Sequence, residues 1–190
     1  MRIVGGAFRG RKLIAPKGIE TRPTSDRVRE SVFNVIEHGL ADWAGALAGA
    51  AVVDLFAGSG ALGLEAMSRG ARRATFIDRA GAAAQAVKKN AAACGVWRDV
   101  TILKLDAAHL PPPPLAAEAP CQIAFLDAPY GAGLTLPALL GLRQRGWLEA
   151  GGLTVAEIGA EDELPPQPGY DVLDARTYGA AKVVFLQTRD

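Results

Sequence analysis

Apolar and polar positions follow two rhythms along this chain, and the change falls near residue 50. Before it, Arg2-Ile3-Val4-Gly5-Gly6 and Arg9-Gly10-Arg11-Lys12-Leu13-Ile14-Ala15 predict two short strands around a glycine-containing turn, closed by Pro16-Lys17-Gly18. Thr24 or Ser25 then caps a helix whose apolar residues Val28, Val32, Val35 and Ile36 recur at helical spacing, with Gly39 as its stop. After residue 50 short apolar runs alternate with helical segments. Strands are expected at 51–55, 74–77, 100–104, 122–126 and 153–158, and helices at 62–69, 80–93 and 136–145. Pro111 to Pro114 must be an irregular loop, and 171–174 with 181–188 read as a closing antiparallel pair. This alternation predicts an α/β doubly wound sheet with helices on both faces, with no internal repeat and no second core.

Composition adds limits. A chain of 190 residues, 49% hydrophobic, suits one globular domain. It shows no N-terminal apolar region of signal type and no run of eighteen apolar residues, so a cytoplasmic protein with no membrane partner is expected. Cys94 and Cys121 are isolated and read as incidental thiols, and the solitary His38 and His109 argue against a metal site. The net charge of +1 hides an asymmetry: residues 1–29 carry a local +6, and the remainder −5. A basic arm on an acidic body is the pattern of a protein that meets a polyanion.

Four acids, Asp54, Asp78, Asp106 and Asp127, fall at the predicted ends of the first four parallel strands, where a doubly wound sheet binds ligands. Gly58-Ser59-Gly60-Ala61-Leu62-Gly63 matches G-x-G-x-x-G, and glycines there let backbone turn tightly against a ligand. Asp78, about 20 residues on, suits ribose hydroxyls of either a nicotinamide or an adenosylmethionine cofactor. Asp54 inside the motif favours adenosylmethionine, since a carboxylate there can meet the cationic amino-acid end. Asp127-Ala128-Pro129-Tyr130 is sharper. Pro129 fixes its own φ and biases Ala128 toward extended backbone. A carboxylate beside a backbone carbonyl then accepts both hydrogens of an exocyclic amine, and Tyr130 offers a face on which an extruded base stacks.

With these residues in place the chain resembles the RsmD family of 16S ribosomal RNA guanine-N2 methyltransferases. The resemblance runs through 2–13, Arg22-Pro23-Thr24-Ser25-Asp26-Arg27-Val28-Arg29-Glu30 and the cofactor loop from Asp54 to Ala66. It implies a Rossmann-like, seven-stranded class I methyltransferase sheet, mostly parallel with an antiparallel last strand. A basic β-hairpin arm (1–24) would precede the methyltransferase domain (25–190). It also implies S-adenosyl-L-methionine held by Asp54, Phe56, Ala57, Gly58, Gly60, Asp78, Arg79, Asp106, Ala107 and Asp127, with Asp78 on ribose and Asp106 on the adenine amine. Asp127, Ala128, Pro129 and Tyr130 would form the catalytic loop. Arg9, Arg11, Lys12, Arg22 and Arg27 would clamp 16S rRNA, within an assembled or assembling small ribosomal subunit, and a monomer is expected. One departure stands out: Ala128 occupies a position that is usually proline. The competing readings are an N6-adenine or N4-cytosine DNA methyltransferase, an NAD-dependent oxidoreductase, and a non-catalytic RNA-binding module.

Overall fold

Alternate residues of the central strands face opposite sides of one sheet, and both sides are apolar, as strands covered by helices on each face require. The computed structural model describes residues 1–17 and 25–189. Its strands are β1 (Ala51–Leu55), β2 (Arg73–Ile77), β3 (Val100–Leu103), β4 (Cys121–Asp127), β5 (Leu148–Gly159), β6 (Tyr170–Tyr178) and β7 (Ala181–Thr188). They form one seven-stranded sheet in the order β3-β2-β1-β4-β5-β7-β6. β1 to β5 pair in parallel, and β7 runs antiparallel to both β5 and β6.

Val52, Ile123, Phe125, Val155 and Phe185 point to one face. There α1 (Asp26–His38), α2 (Ala61–Ser68) and α3 (Gly81–Cys94) cover them, through residues such as Phe33, Leu64 and Val87. Val53, Leu55, Ala124, Leu126, Val184 and Leu186 point to the other face, under α4 (Thr135–Gln144) and the fully buried Trp147. Helix boundaries follow local chemistry. The Ser25 hydroxyl accepts from the Val28 amide at 3.2 Å and caps α1, and Gly95 at φ +79° closes α3. Thr24, the other predicted cap, lies outside the described residues.

Two strands run longer than the hydrophobic pattern predicts. β5 begins at Leu148 because the sheet carries on through an irregularity at Gly151, which adopts φ +73°, whereas the glycine pair reads as a break in sequence. β6 is a largely exposed edge strand, so its outer residues show little alternation, yet it pairs with β7 as far as Tyr178.

The N-terminal strands are shorter than expected. Their pairing reduces to one bridge, Arg2 with Lys12, flanked by bonds from the Ile3 amide to Arg11 O and from the Gly10 amide to Ile3 O, both 2.9 Å. Residues Gly6–Phe8 form a 3-10 turn. Here α2 takes the backbone donors in place of a partner strand. The Glu65 carboxylate accepts from the amides of Val4 and Gly5, each at 2.8 Å, and Ser68 Oγ accepts from Phe8 and donates to Gly5 O. Ile3 and Leu13 are buried in the same core as α1 and α2.

Glu65 has no exposed surface and also meets Arg69 Nε at 2.9 Å and Arg29 Nε at 3.7 Å. Removing one member of such a buried charge group strands the others. Glu65→Ala is therefore expected to cost about 3–5 kcal/mol, read as a lower urea midpoint, with the arm amides losing exchange protection before the sheet does.

Candidate functional site

The parallel connections reverse direction between β1 and β4, and a cleft opens there at the carboxyl edge of the sheet. It encloses about 600 Å³, the scale of a site for a nucleoside-sized ligand. Asp54 is the penultimate residue of β1, Asp78 follows β2 directly, Asp127 ends β4, and Asp106 lies past β3. All four line the cleft, so the topology gathers acids that are up to 73 positions apart in the chain.

The glycine loop is held from both ends. At one end, the Gly63 amide donates to Asp54 Oδ2 at 2.9 Å. At the other, Asp78 accepts from Gly58 N–H at 2.9 Å and from Ala80 N–H at 2.8 Å. Between these straps Phe56 adopts φ +57°, a conformation uncommon for a residue with a side chain, and Gly58 adopts φ +52°. A Cβ on Gly63 would lie 2.4 Å from Phe76 Cε1 and 3.2 Å from Asp54 Oδ2, so the helix approaches the sheet only because that side chain is missing.

Electrostatics distinguish the acids. Burial pushes the Asp54 carboxyl well above the usual carboxylate range; the Gly63 amide opposes that rise, while Asp127 and Asp78 add to it. Asp106 is held below its usual range, chiefly by its hydrogen bond with His109 and then by the Ala108 amide. The Tyr130 hydroxyl donates to Glu157 Oε1 at 2.5 Å, across the register that pairs Asp127 with Glu157. Two arginines, Arg29 and Arg79, stand in the lining against five carboxylates, the four aspartates and Glu157.

Of the cofactor residues expected from sequence, Asp54, Phe56, Ala57, Gly58, Asp78, Arg79, Asp106, Ala107 and Asp127 line the cleft, as do Ala128, Pro129 and Tyr130. Gly60 does not. It is the N-cap of α2 at φ +78°, backed by Phe76 and Val87, and it shapes the loop from behind. Arg9, Arg11, Lys12 and Arg27 are exposed and stand apart from the lining, and Arg22 lies outside the described residues.

The sequence reading missed Glu157, Arg29 and Met1, which also line the cleft. Glu157 had a signal, since it sits one position from the end of a predicted strand, as Asp54 does. Arg29 and Met1 had none, because only the folded arm and α1 bring them to the sheet edge. Cys94 and Cys121 are both buried, which pushes the Cys121 thiol up to about 12, so neither is a ready thiolate. Among the described residues no group of three or more His, Cys, Asp or Glu is arranged to hold a metal ion, and no helix is long and apolar enough to cross a membrane.

A sheet of this order with its last strand reversed, a glycine loop after β1 and a cleft at the switch point is the Rossmann-like fold of class I methyltransferases. The solved yhhF protein of Escherichia coli shares it with a TM-score of 0.80 at 34% identity, over 100% of this chain and 98% of that one. The chain is 36% identical over 190 residues to YlbH of Bacillus subtilis strain 168, covering all of both chains. It is 38% identical over 169 residues to ribosomal RNA small subunit methyltransferase D of Escherichia coli K12, covering 88% of this chain and 79% of that one. A family model described as "Conserved hypothetical protein 95" matches residues 1–187, and the chain belongs to that family, the RsmD family.

The raised Asp54 carboxyl yields a stability test. A carboxyl that is harder to ionise folded than unfolded loses native-state stability as pH rises from the ordinary carboxylate value to its own. Asparagine keeps an acceptor for Gly63 and has no charge to bury. Asp54→Asn should therefore match or exceed the native melting temperature, with its advantage growing in thermal unfolding as pH rises above the ordinary carboxylate value.

Proposed function

We propose that this protein transfers a methyl group from S-adenosyl-L-methionine to the exocyclic N2 of one guanine in 16S rRNA of the small ribosomal subunit. The observation that carries the reading is a carboxylate-rich cleft at the switch point with Asp127-Ala128-Pro129-Tyr130 in its wall. Apart from buried Asp54, four carboxylates against two arginines favour a cationic ligand and disfavour the pyrophosphate of a nicotinamide dinucleotide. The nature of the relatives supports the RNA substrate, the Escherichia coli one being named a ribosomal RNA small subunit methyltransferase.

The residues present fit the cofactor. Asp78 and Asp106 offer acceptors for ribose hydroxyls and the adenine amine. Gly58 presents backbone with no side chain in the way, Asp127 supplies negative charge for the amino-acid end, and buried Asp54 holds the glycine loop through the Gly63 amide. Bound there, adenosylmethionine supplies an electrophilic methyl group. The chain's own part is to orient the acceptor. Asp127 and the Ala128 carbonyl accept the two amine hydrogens and so direct the nitrogen lone pair toward the methyl. As the nitrogen–carbon bond forms, Asp127 draws off the departing proton. Pro129 restrains the loop even with alanine before it. Tyr130, its hydroxyl tied to Glu157, keeps its ring in place for stacking, worth roughly 1–3 kcal/mol per base. The exposed Arg9, Arg11, Lys12 and Arg27, with Arg22 beside them in sequence, engage rRNA phosphates.

The test is incubation with labelled adenosylmethionine and undermethylated small subunits, followed by mapping of the modified nucleotide. Label at a guanine N2 is expected; label at any other position, or none, overturns the proposal. Asp127→Ala should lower methyl transfer by about 100-fold or more, well beyond any loss of cofactor affinity that calorimetry finds. Arg9→Glu with Arg11→Glu should weaken RNA binding and flatten its salt dependence by about 1.4 log units per log unit of salt, as loss of two single-strand phosphate contacts requires.

A further inference from the structure

Asn90, deep on α3, holds two segments that sequence separates by 45 residues. Its side chain is 1% exposed. Oδ1 accepts from the Ile14 amide at 2.8 Å, and Nδ2 donates both to Ile14 O at 3.0 Å and to Ser59 O at 2.8 Å. Ile14 belongs to the basic arm and Ser59 to the glycine loop. One carboxamide thus satisfies both backbone groups of an arm residue and a carbonyl of the loop that lines the cleft.

These bonds matter because packing does not replace them. The Ile14 side chain is 54% exposed, so the arm is fixed here by its backbone and not by apolar burial. Only a carboxamide suits the position: aspartate would set a second acceptor against two carbonyl oxygens, and an apolar residue would leave three backbone groups without this partner. The two segments touch again at the cleft itself, where Ser59 Oγ lies 3.5 Å from Met1 Sδ and both residues contribute to the wall. Val87, one turn before Asn90 on α3, backs Gly60.

We propose that Asn90 is a positioning residue that couples the N-terminal arm to the glycine loop, so that a ligand in the cleft orders the arm and RNA on the arm strengthens binding in the cleft. Reciprocity follows from linkage: whatever free energy the loop gives the arm, the arm returns to the loop. The inference rests on the cofactor reading above.

Hydrogen exchange tests it on the intact protein with adenosylmethionine and no RNA. In the native chain, saturating adenosylmethionine should slow exchange at Ile3, Gly10, Arg11, Leu13 and Ile14 by roughly tenfold, within the usual range of coupling between sites. In Asn90→Ala the ratio of bound to free exchange rates at Ile3, Gly10, Arg11 and Leu13 should fall toward one, and adenosylmethionine should bind roughly three- to tenfold more weakly. Ile14→Pro removes the arm's amide donor, with the added restraint of proline on Leu13 before it, and should lower the ratio in the same direction. A purely structural role would raise both rates and leave their ratio unchanged. Native protein that binds adenosylmethionine with an indifferent arm overturns the coupling and leaves the enzyme reading standing. Native protein that does not bind it overturns both. A native-like ratio in both variants removes Asn90 from the path and overturns the proposal.

Discussion

A hydrogen bond from the Gly63 amide to the buried Asp54 carboxylate sets how close α2 comes to β1, and the cleft takes its shape from that approach. The bond can form because residue 63 has no side chain; any Cβ would strike Phe76 and crowd the carboxyl group. Once helix and strand are drawn together, the loop between them has little conformational choice. Its turn needs positive φ at Phe56, Gly58 and Gly60, and Asp78 fixes the far side through Gly58. The same constraint holds an ionisable group out of water beside two other acids, a cost that makes sense at a binding site and not in a mere turn.

α2 does a second task with its other residues. Glu65, two positions beyond Gly63, collects the Val4 and Gly5 amides, while Ser68 collects Phe8 and donates back to Gly5. Arg69 extends the network to Glu37 of α1 at 2.7 Å and lies over the Phe33 ring at 5.1 Å. One eight-residue helix therefore carries the glycine loop at its start and the arm along its length. The arm is consequently part of the core and of the cleft wall, since Ile3 is fully buried and Met1 lines the site.

Most of the parallel sheet was legible because its strands are short apolar runs ended by acids, a pattern set by burial on both faces and polarity at the edge. The glycine loop was legible for a related reason: glycine is the residue that backbone crowding leaves. What escaped were features without periodicity. The passage of β5 through Gly151 reads as an interruption, since a bulge and a turn use the same residue. The arm's strands were overestimated because alternation reports which residues are buried and not which partner takes the backbone donors, here a glutamate 60 positions away. Asn90 in an alanine-rich helix looked like an ordinary helical position, and Arg29 looked like one more basic residue. Their roles exist only in the contacts that tertiary structure makes.

The division of charge bears on how the proposed reaction selects its acceptor. In the proposed reaction, phosphate would be repelled from a cleft with four carboxylates besides buried Asp54 and drawn to exposed Arg9, Arg11, Lys12 and Arg27. A nucleotide approaching such a surface is held by its backbone outside and offers only its neutral base to the acidic interior. The acids that favour a cationic methyl donor therefore also screen what can follow it into the cleft. This sorting needs a base free to leave its stack, which an unpaired nucleotide provides at lower cost than a paired one. Because the arm is anchored through Glu65, Ser68 and Asn90 to the elements that frame the cleft, the proposed grip on phosphate and the proposed entry of the base are linked through the same elements. In the proposed function that link, more than any single base contact, would limit which nucleotide of a folded RNA can present its amine to Asp127.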